Sequence, residues 1–204
     1  MSQSIEFIYD FGSPNSYLAH KVLPDLAARC GVGLLYSPAL LGGVFKATNN
    51  QSPITAFAHV RHKLTYQMYE MHRFAKRHGL TFHMNPHFPV MTLALMRGAI
   101  FARGKPWESK YTDAVFDAIW VHGQKMDDPG VIRDVLQEHG LPADAIGAAV
   151  QSSGVKQALK DATDAAVERG AFGAPTMFVG DEMFFGKDSL TELEFELQQL
   201  CVTA

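Results

Sequence analysis

Cysteine is nearly absent: Cys30 and Cys201 stand at opposite ends of a chain of 204 residues and form no motif. That spacing excludes a self-contained CxxC redox enzyme and predicts no disulfide framework, so both are expected to be inert packing residues. An excess of basic charge is missing too. Eighteen lysines and arginines face 21 acidic residues, a net charge of -3 with no basic block, and a nucleic-acid partner has no electrostatic support. The longest uncharged stretch, Cys30 to Phe45, holds four glycines and a proline and is too short to span a bilayer. No basic leader precedes the first strand-like residues. The expectation is a soluble, cytoplasmic protein in a reduced compartment, with no membrane partner. Neither GxGxxG nor a P-loop follows a strand pattern. His59, His62, His72, His78, His83 and His87 lack cysteine or acidic partners at ligand spacing, so no metal is expected.

What remains is ample apolar material, 47% of the chain, enough for a continuous core. Ile5 to Phe11 is rich in β-formers and reads as a buried strand. It breaks at Gly12-Ser13-Pro14, where Ser13 is a plausible N-cap and Pro14 a first helical residue. Leu18, Val22, Leu23, Leu26 and Ala27 then recur at helical spacing up to Gly31, and Val32 to Tyr36 reads as a second strand. From about 55 to 170 the pattern is helical. Phe57, Val60, Leu64, Met68, Met71 and Ala75 form one stripe. Further helices are expected over 92–103, from Pro106 through His122, from Asp128-Pro129 to Gly140, and over 143–152 and 155–169. Thr176 to Val179 and Met183 to Phe185 read as a hairpin about Gly180-Asp181. A last helix is expected from Asp188, with Leu190, Leu193, Leu197 and Leu200 on one face.

The order βαβ, helical block, ββα predicts an α/β protein with a thioredoxin-like fold and a large all-helical insertion. The expected parts are residues 1–45 and 169–204 for the thioredoxin-like domain and 46–168 for the insertion. In such a sheet the loop holding Ser13-Pro14-Asn15-Ser16 meets the loop holding Gly173-Ala174-Pro175-Thr176. A proline directly before a strand is a candidate cis peptide that would present the backbone of Ala174. Ser13 and Ser16 lie where a dithiol enzyme carries its cysteines. Hydroxyls form no disulfide, so a reactive sulfur must come from elsewhere.

Three blocks carry a resemblance: Tyr9 to Leu18, Asn50-Gln51-Ser52-Pro53, and Phe172 to Asp188. Over nearly its whole length the chain resembles 2-hydroxychromene-2-carboxylate isomerases and kappa-class glutathione transferases of the DsbA-like thioredoxin superfamily. The resemblance implies glutathione as cofactor and Ser13 as the catalytic residue, stabilising the thiolate. It implies glutathione binding by Ser13, Pro14, Asn15, Asn50, Ala174, Phe185, Gly186, Lys187 and Asp188. Ala174 would pair with the cysteinyl backbone, the turn at Gly186-Lys187-Asp188 would take the γ-glutamyl end, and Asn50 the glycyl end. Lys46 corresponds to a lysine used on the organic acid, with a solvated surface lysine as the alternative. Phe88 falls near a substrate-contact position, beside Asn85, and a core aromatic is the other reading. Asn15, Ser52, Ala174 and Ser189 depart from the commoner residues of the family. The implied function is glutathione-dependent isomerisation of 2-hydroxychromene-2-carboxylate to trans-o-hydroxybenzylidenepyruvate in aromatic hydrocarbon catabolism, by a homodimer. A kappa-like transferase or peroxidase is the first alternative. A redox-inactive binding module is the second.

Overall fold

The central strand is β1 (Ser4–Tyr9), whose Ile5, Phe7, Ile8 and Tyr9 are all buried. In the computed structural model, which describes residues 4–202 and side chains as far as residue 199, β2 (Gly33–Pro38) lies parallel on one side of it. On the other side β3 (Thr176–Val179) runs antiparallel, with Ile5 opposite Val179 and Ile8 opposite Thr176, and β4 (Glu182–Phe185) completes the order β2-β1-β3-β4. Cover on both faces explains why β1 reads as an apolar run rather than an alternation. This is the expected thioredoxin-like sheet of an α/β protein.

Between β1 and β2 runs α1 (Pro14–Cys30), capped by Ser13 and closed at Gly31. The long central segment folds as α2 (Leu41–Ala47), α3 (Pro53–Ala56), α4 (Lys63–Arg77), α5 (Leu93–Ala102), α6 (Glu108–Trp120), α7 (Pro129–Glu138), α8 (Ala143–Ala149) and α9 (Ser153–Glu168). After β4 a 3-10 turn over Lys187–Ser189 leads into α10 (Leu190–Val202). Among the described residues no helix is long and apolar enough to cross a membrane.

Two helices differ from their expected form. The stripe beginning at Phe57 is divided, because Ser52 accepts the N–H of Thr55 and Pro53 opens the short α3. His62 then adopts a left-handed φ of 67°, so α4 starts only at Lys63, leaving Phe57 and Val60 outside it. The second helix, α2, was not expected, since Gly42 and Gly43 each disfavour helix by about 1 kcal/mol. Packing overrides that cost. A Cβ on Gly43 would stand 3.0 Å from the Thr163 methyl, so glycine permits the approach of α9, whose Thr163 hydroxyl accepts the N–H of Leu40 at 3.0 Å. At the far end Leu190, Leu193 and Leu197 are buried as expected, whereas the side chains of Leu200 and Cys201 lie outside the described residues. Cys30 is partly buried against the core.

The insertion and the sheet share one core. Phe116 of α6 stands 4.8 Å from Phe11 and 5.7 Å from Tyr9, ring centre to ring centre. The indole N–H of the fully buried Trp120 donates to the Phe11 carbonyl at 2.9 Å, and the Tyr17 hydroxyl donates to Thr81 at 2.6 Å. His20 of α1 adds a polar clamp, with Nδ1 2.7 Å from the Tyr36 hydroxyl and Nε2 2.8 Å from Asp113 of α6. Its hydrogen bond holds the Asp113 carboxyl below the usual range, while burial pushes the Tyr36 phenol up. Truncating a buried aromatic such as Trp120 would cost about 3–5 kcal/mol.

Candidate active site

The chain leaves β1 through a tight turn in which the Ser13 N–H donates to the Asp10 carbonyl at 3.1 Å. Ser13 is 5% exposed and has extended backbone, as an N-cap requires. Its hydroxyl oxygen accepts the Ser16 N–H at 3.1 Å, and its hydrogen is donated to the Ala174 carbonyl at 2.9 Å. One hydroxyl thus joins the α1 N-terminus to the loop entering β3. The Ala174–Pro175 peptide is cis. Pro14 is the first helical residue and Asn15 is half-buried. Ser16, at the second dithiol position, is fully enclosed, so of the two serines only Ser13 stands at the edge of the site. The start of a 17-residue helix carries partial positive charge and favours an anion beside Ser13.

Asn50 reaches the same loop from α2's far side: its amide donates to the Phe172 carbonyl at 2.8 Å, while its Oδ1 accepts the Gln51 N–H. Phe172 and Phe185 are both partly exposed, with ring centres 4.4 Å apart. Between them Gly173 has no room for a side chain, since a Cβ there would meet the Phe185 ring at 2.9 Å. The Gly186 N–H donates to the Pro175 carbonyl at 2.9 Å, and its φ of 83° suits glycine. The next two residues depart from expectation. Gly186 stands at the N-cap of the 3-10 turn that leads into α10, and its carbonyl accepts the Ser189 hydroxyl at 2.9 Å. Asp188, 75% exposed, accepts from Lys187 at 2.5 Å, and the Lys187 side chain is almost fully buried against Phe74.

Lys46 sits exposed in the last turn of α2. Asn85 is 3% exposed and fully engaged: its amide donates to Ile119 and Gln124, both at 2.9 Å, and its oxygen accepts the His87 N–H at 2.7 Å. Such an asparagine braces the loop rather than presenting itself to a ligand. Phe88 packs on Trp120 at 5.8 Å with part of its ring still exposed. The fold therefore brings Ser13, Asn50, Phe185 and Gly186 each into contact with the loop from Phe172 to Pro175 that carries Ala174, and draws Asn85 into the support of the insertion.

A family model described as a DsbA-like thioredoxin domain matches residues 4–198. The chain belongs to the DsbA-like thioredoxin family. Within that family it is similar to a 2-hydroxychromene-2-carboxylate isomerase from Sphingobium xenophagum, 33% identical over 194 residues, covering 95% of this chain and 97% of that protein. A solved structure of a 2-hydroxychromene-2-carboxylate isomerase superposes with a TM-score of 0.86 at 30% identity, over 97% of this chain and 96% of that one. Glutathione S-transferase kappa 1 from Rattus norvegicus is 26% identical, covering 95% of this chain and 90% of that protein. Like the isomerases to which it is similar, the chain is an enzyme.

Sequence reasoning assigned no role to Asp10, Thr92 or Phe172. The Asp10 carboxylate accepts the Gly12 N–H (2.8 Å), the Thr92 hydroxyl (2.7 Å) and the Leu41 N–H (2.8 Å). Burial pushes its pKa up, and the three hydrogen bonds pull against that shift. A signal did exist: an aspartate ending an apolar strand must find donors when the strand is central to a DsbA-like sheet.

Proposed function

We propose that this enzyme is a glutathione-dependent isomerase that converts 2-hydroxychromene-2-carboxylate to trans-o-hydroxybenzylidenepyruvate. The observation that carries the reading is the Ser13 hydroxyl, held at the N-terminus of α1 and bonded to the Ala174 carbonyl at 2.9 Å. The similarity to isomerases of that name supports the choice of substrate.

The residues fit glutathione. An incoming cysteinyl N–H would compete for the Ala174 carbonyl, freeing the Ser13 hydrogen to donate to sulfur. The first N–H groups of the turn at Lys187 and Asp188 have no intrahelical acceptor and suit the γ-glutamyl carboxylate. Asp188 is exposed enough to take its ammonium, with Lys187 keeping the aspartate oriented by their ion pair. Asn50 stands by the Phe172 carbonyl for the glycyl end. When bound, glutathione supplies a thiolate whose reversible addition lets the ring open and the former double bond rotate, so none is consumed. Lys46 would hold the carboxylate of the organic acid and the partly exposed Phe88 would contact its ring, with Pro14 and Asn15 lining the sulfur end. The same reading carries the expectation of a cytoplasmic homodimer acting in aromatic catabolism.

The test is the chromene's spectrum followed with glutathione well below stoichiometric amounts. Complete conversion supports the isomerase. Conversion halting when glutathione is used up would instead indicate a kappa-like transferase, and no melting-temperature gain with millimolar glutathione would overturn both.

A further inference from the structure

Asp10 places a carboxyl group where the strand pattern calls for an apolar side chain. It is 1% exposed and, among the described residues, no cation pairs with it; its oxygens are satisfied only by the Gly12, Thr92 and Leu41 donors. A polar group buried this deeply is costly unless its hydrogen bonds are made, and a residue needed only for packing would be apolar. The three donors belong to three segments. Gly12 precedes Ser13. Leu41 opens α2, whose last turn carries Lys46. Thr92 precedes α5 and, although it stands at the N-cap, makes no cap bond because its hydroxyl is turned to Asp10. Gly12 lacks a side chain in keeping with this junction: a Cβ there would stand 3.3 Å from both the Asp10 Oδ1 and the Thr92 methyl.

We propose that Asp10 is a positioning residue that ties the Ser13 loop, the start of α2 and the head of α5 into one rigid unit. It thereby fixes the separation between the Ser13 hydroxyl, which poises sulfur, and the Lys46 ammonium, which holds the organic acid. Backbone amides alone cannot do this, because Gly12 and Leu41 both present donors and require a shared acceptor. The carboxylate, with two oxygens and room for several hydrogen bonds, is that acceptor. The kinetic consequence rests on the isomerase reading above, whereas the structural one does not.

Asp10→Asn keeps the shape but turns one acceptor into a donor, leaving either the Gly12 or the Leu41 N–H facing an NH2 group. Amide hydrogen exchange followed by NMR is the primary measurement. In the folded variant the amides of Gly12 and Leu41 should exchange faster by about tenfold or more, together with that of Thr48, which closes α2 on Val44. In steady-state assays kcat per folded molecule should fall by about tenfold or more, with a smaller change in half-saturation by glutathione, since misplacing two bound groups by an ångström costs turnover before binding. Thr92→Val, which removes one donor, should move both readouts in the same direction by less, and Thr92→Ser should restore them. Unaltered exchange at Gly12 and Leu41 in a folded Asp10→Asn protein would overturn the proposal, as would faster exchange with kcat within twofold of the wild type. A lower melting temperature with unaltered kcat would reduce Asp10 to a structural role. If Asp10→Asn does not fold, Thr92→Val decides by the same two amides. If the wild type fails to bind glutathione, the isomerase reading falls and the exchange result alone judges Asp10.

Discussion

Removing the hydroxyl of Ser13 separates its structural and chemical roles. Ser13→Ala deletes the bond accepted from the Ser16 N–H and the one donated to Ala174. Loss of the cap costs about 1 kcal/mol of stability. For a chain of this size that lowers the melting temperature by about 2–4 °C. The chemical effect is read on bound glutathione. A free thiol with pKa near 8.5 is only about 3% ionised at pH 7, and a downward shift of about two units makes it about three-quarters thiolate. A hydrogen bond to a charged group is worth about 1.5–3 kcal/mol, or about one to two pKa units. The α1 N-terminus remains in the variant and keeps its own contribution of about 0.3–1 kcal/mol. The bound thiol of Ser13→Ala should therefore titrate about one to two units above that of the wild type, leaving about a quarter or less ionised at pH 7. Ultraviolet absorbance of the thiolate, titrated on the saturated complex, measures this directly. Turnover at pH 7 should fall in proportion and recover on the alkaline side. A bound-thiol pKa within a few tenths of the wild type would refute the role given to Ser13.

Lys46→Gln should leave stability within about 0.5 kcal/mol, because the side chain is exposed, and raise KM for the organic acid by about tenfold; an unaltered KM would remove Lys46 from the site. Gly98→Ala should destabilise by about 1–3 kcal/mol in denaturant unfolding, since its Cβ would land 2.0 Å from the buried Tyr111 hydroxyl, which donates to Leu95. A midpoint equal to the wild type would contradict that packing. The third case concerns pH. His20 holds the Asp113 carboxyl below its ordinary value of 3.8, so the folded state binds its proton less readily than the unfolded chain. The resulting stability is present above 3.8 and is lost as pH falls through the folded carboxyl's lower value. Asp113→Asn should thus fall short of the wild type at neutral pH and approach it in acid, and a gap constant with pH would show that this linkage is absent.

Local chemistry made much of the fold legible. Asp128 before Pro129 starts α7 as read, its carboxylate accepting from Gly130 and Val131, and Ser13-Pro14 starts α1. The hairpin of β3 and β4 follows from its turn residues. Features set by distant partners were not legible. Gly42-Gly43 carries no helix signal of its own, and only the approach of Thr163 explains the glycine at 43. The stripe through Phe57 has helical spacing, but spacing cannot reveal the left-handed His62 that divides it. Lys187 and Asp188 read as one charged turn, yet the lysine is buried against Phe74 and the aspartate is exposed. Within the site, Ser13 and Ala174 were legible because loops of this sheet order must meet. Asn85 was not, because both acceptors of its amide come from the far end of α6 and beyond.

The bond from Ser13 to Ala174 closes a span of 161 residues, and β1 pairs with β3 across a similar interval. Contacts this remote in sequence are slow to form, because loop closure precedes any reward from pairing. On the ribosome, β1 and β2 can meet early, but the other edge of β1 must wait for Thr176 to Val179 to emerge. Until then an apolar strand with unsatisfied main-chain groups is open to association with other chains. The junction of Ser13 with Ala174 is thus among the last features to assemble. A nascent chain stopped before β3 would hold Ser13 without the Ala174 carbonyl that it bonds, and an unpaired edge of β1 in place of its pairing with β3.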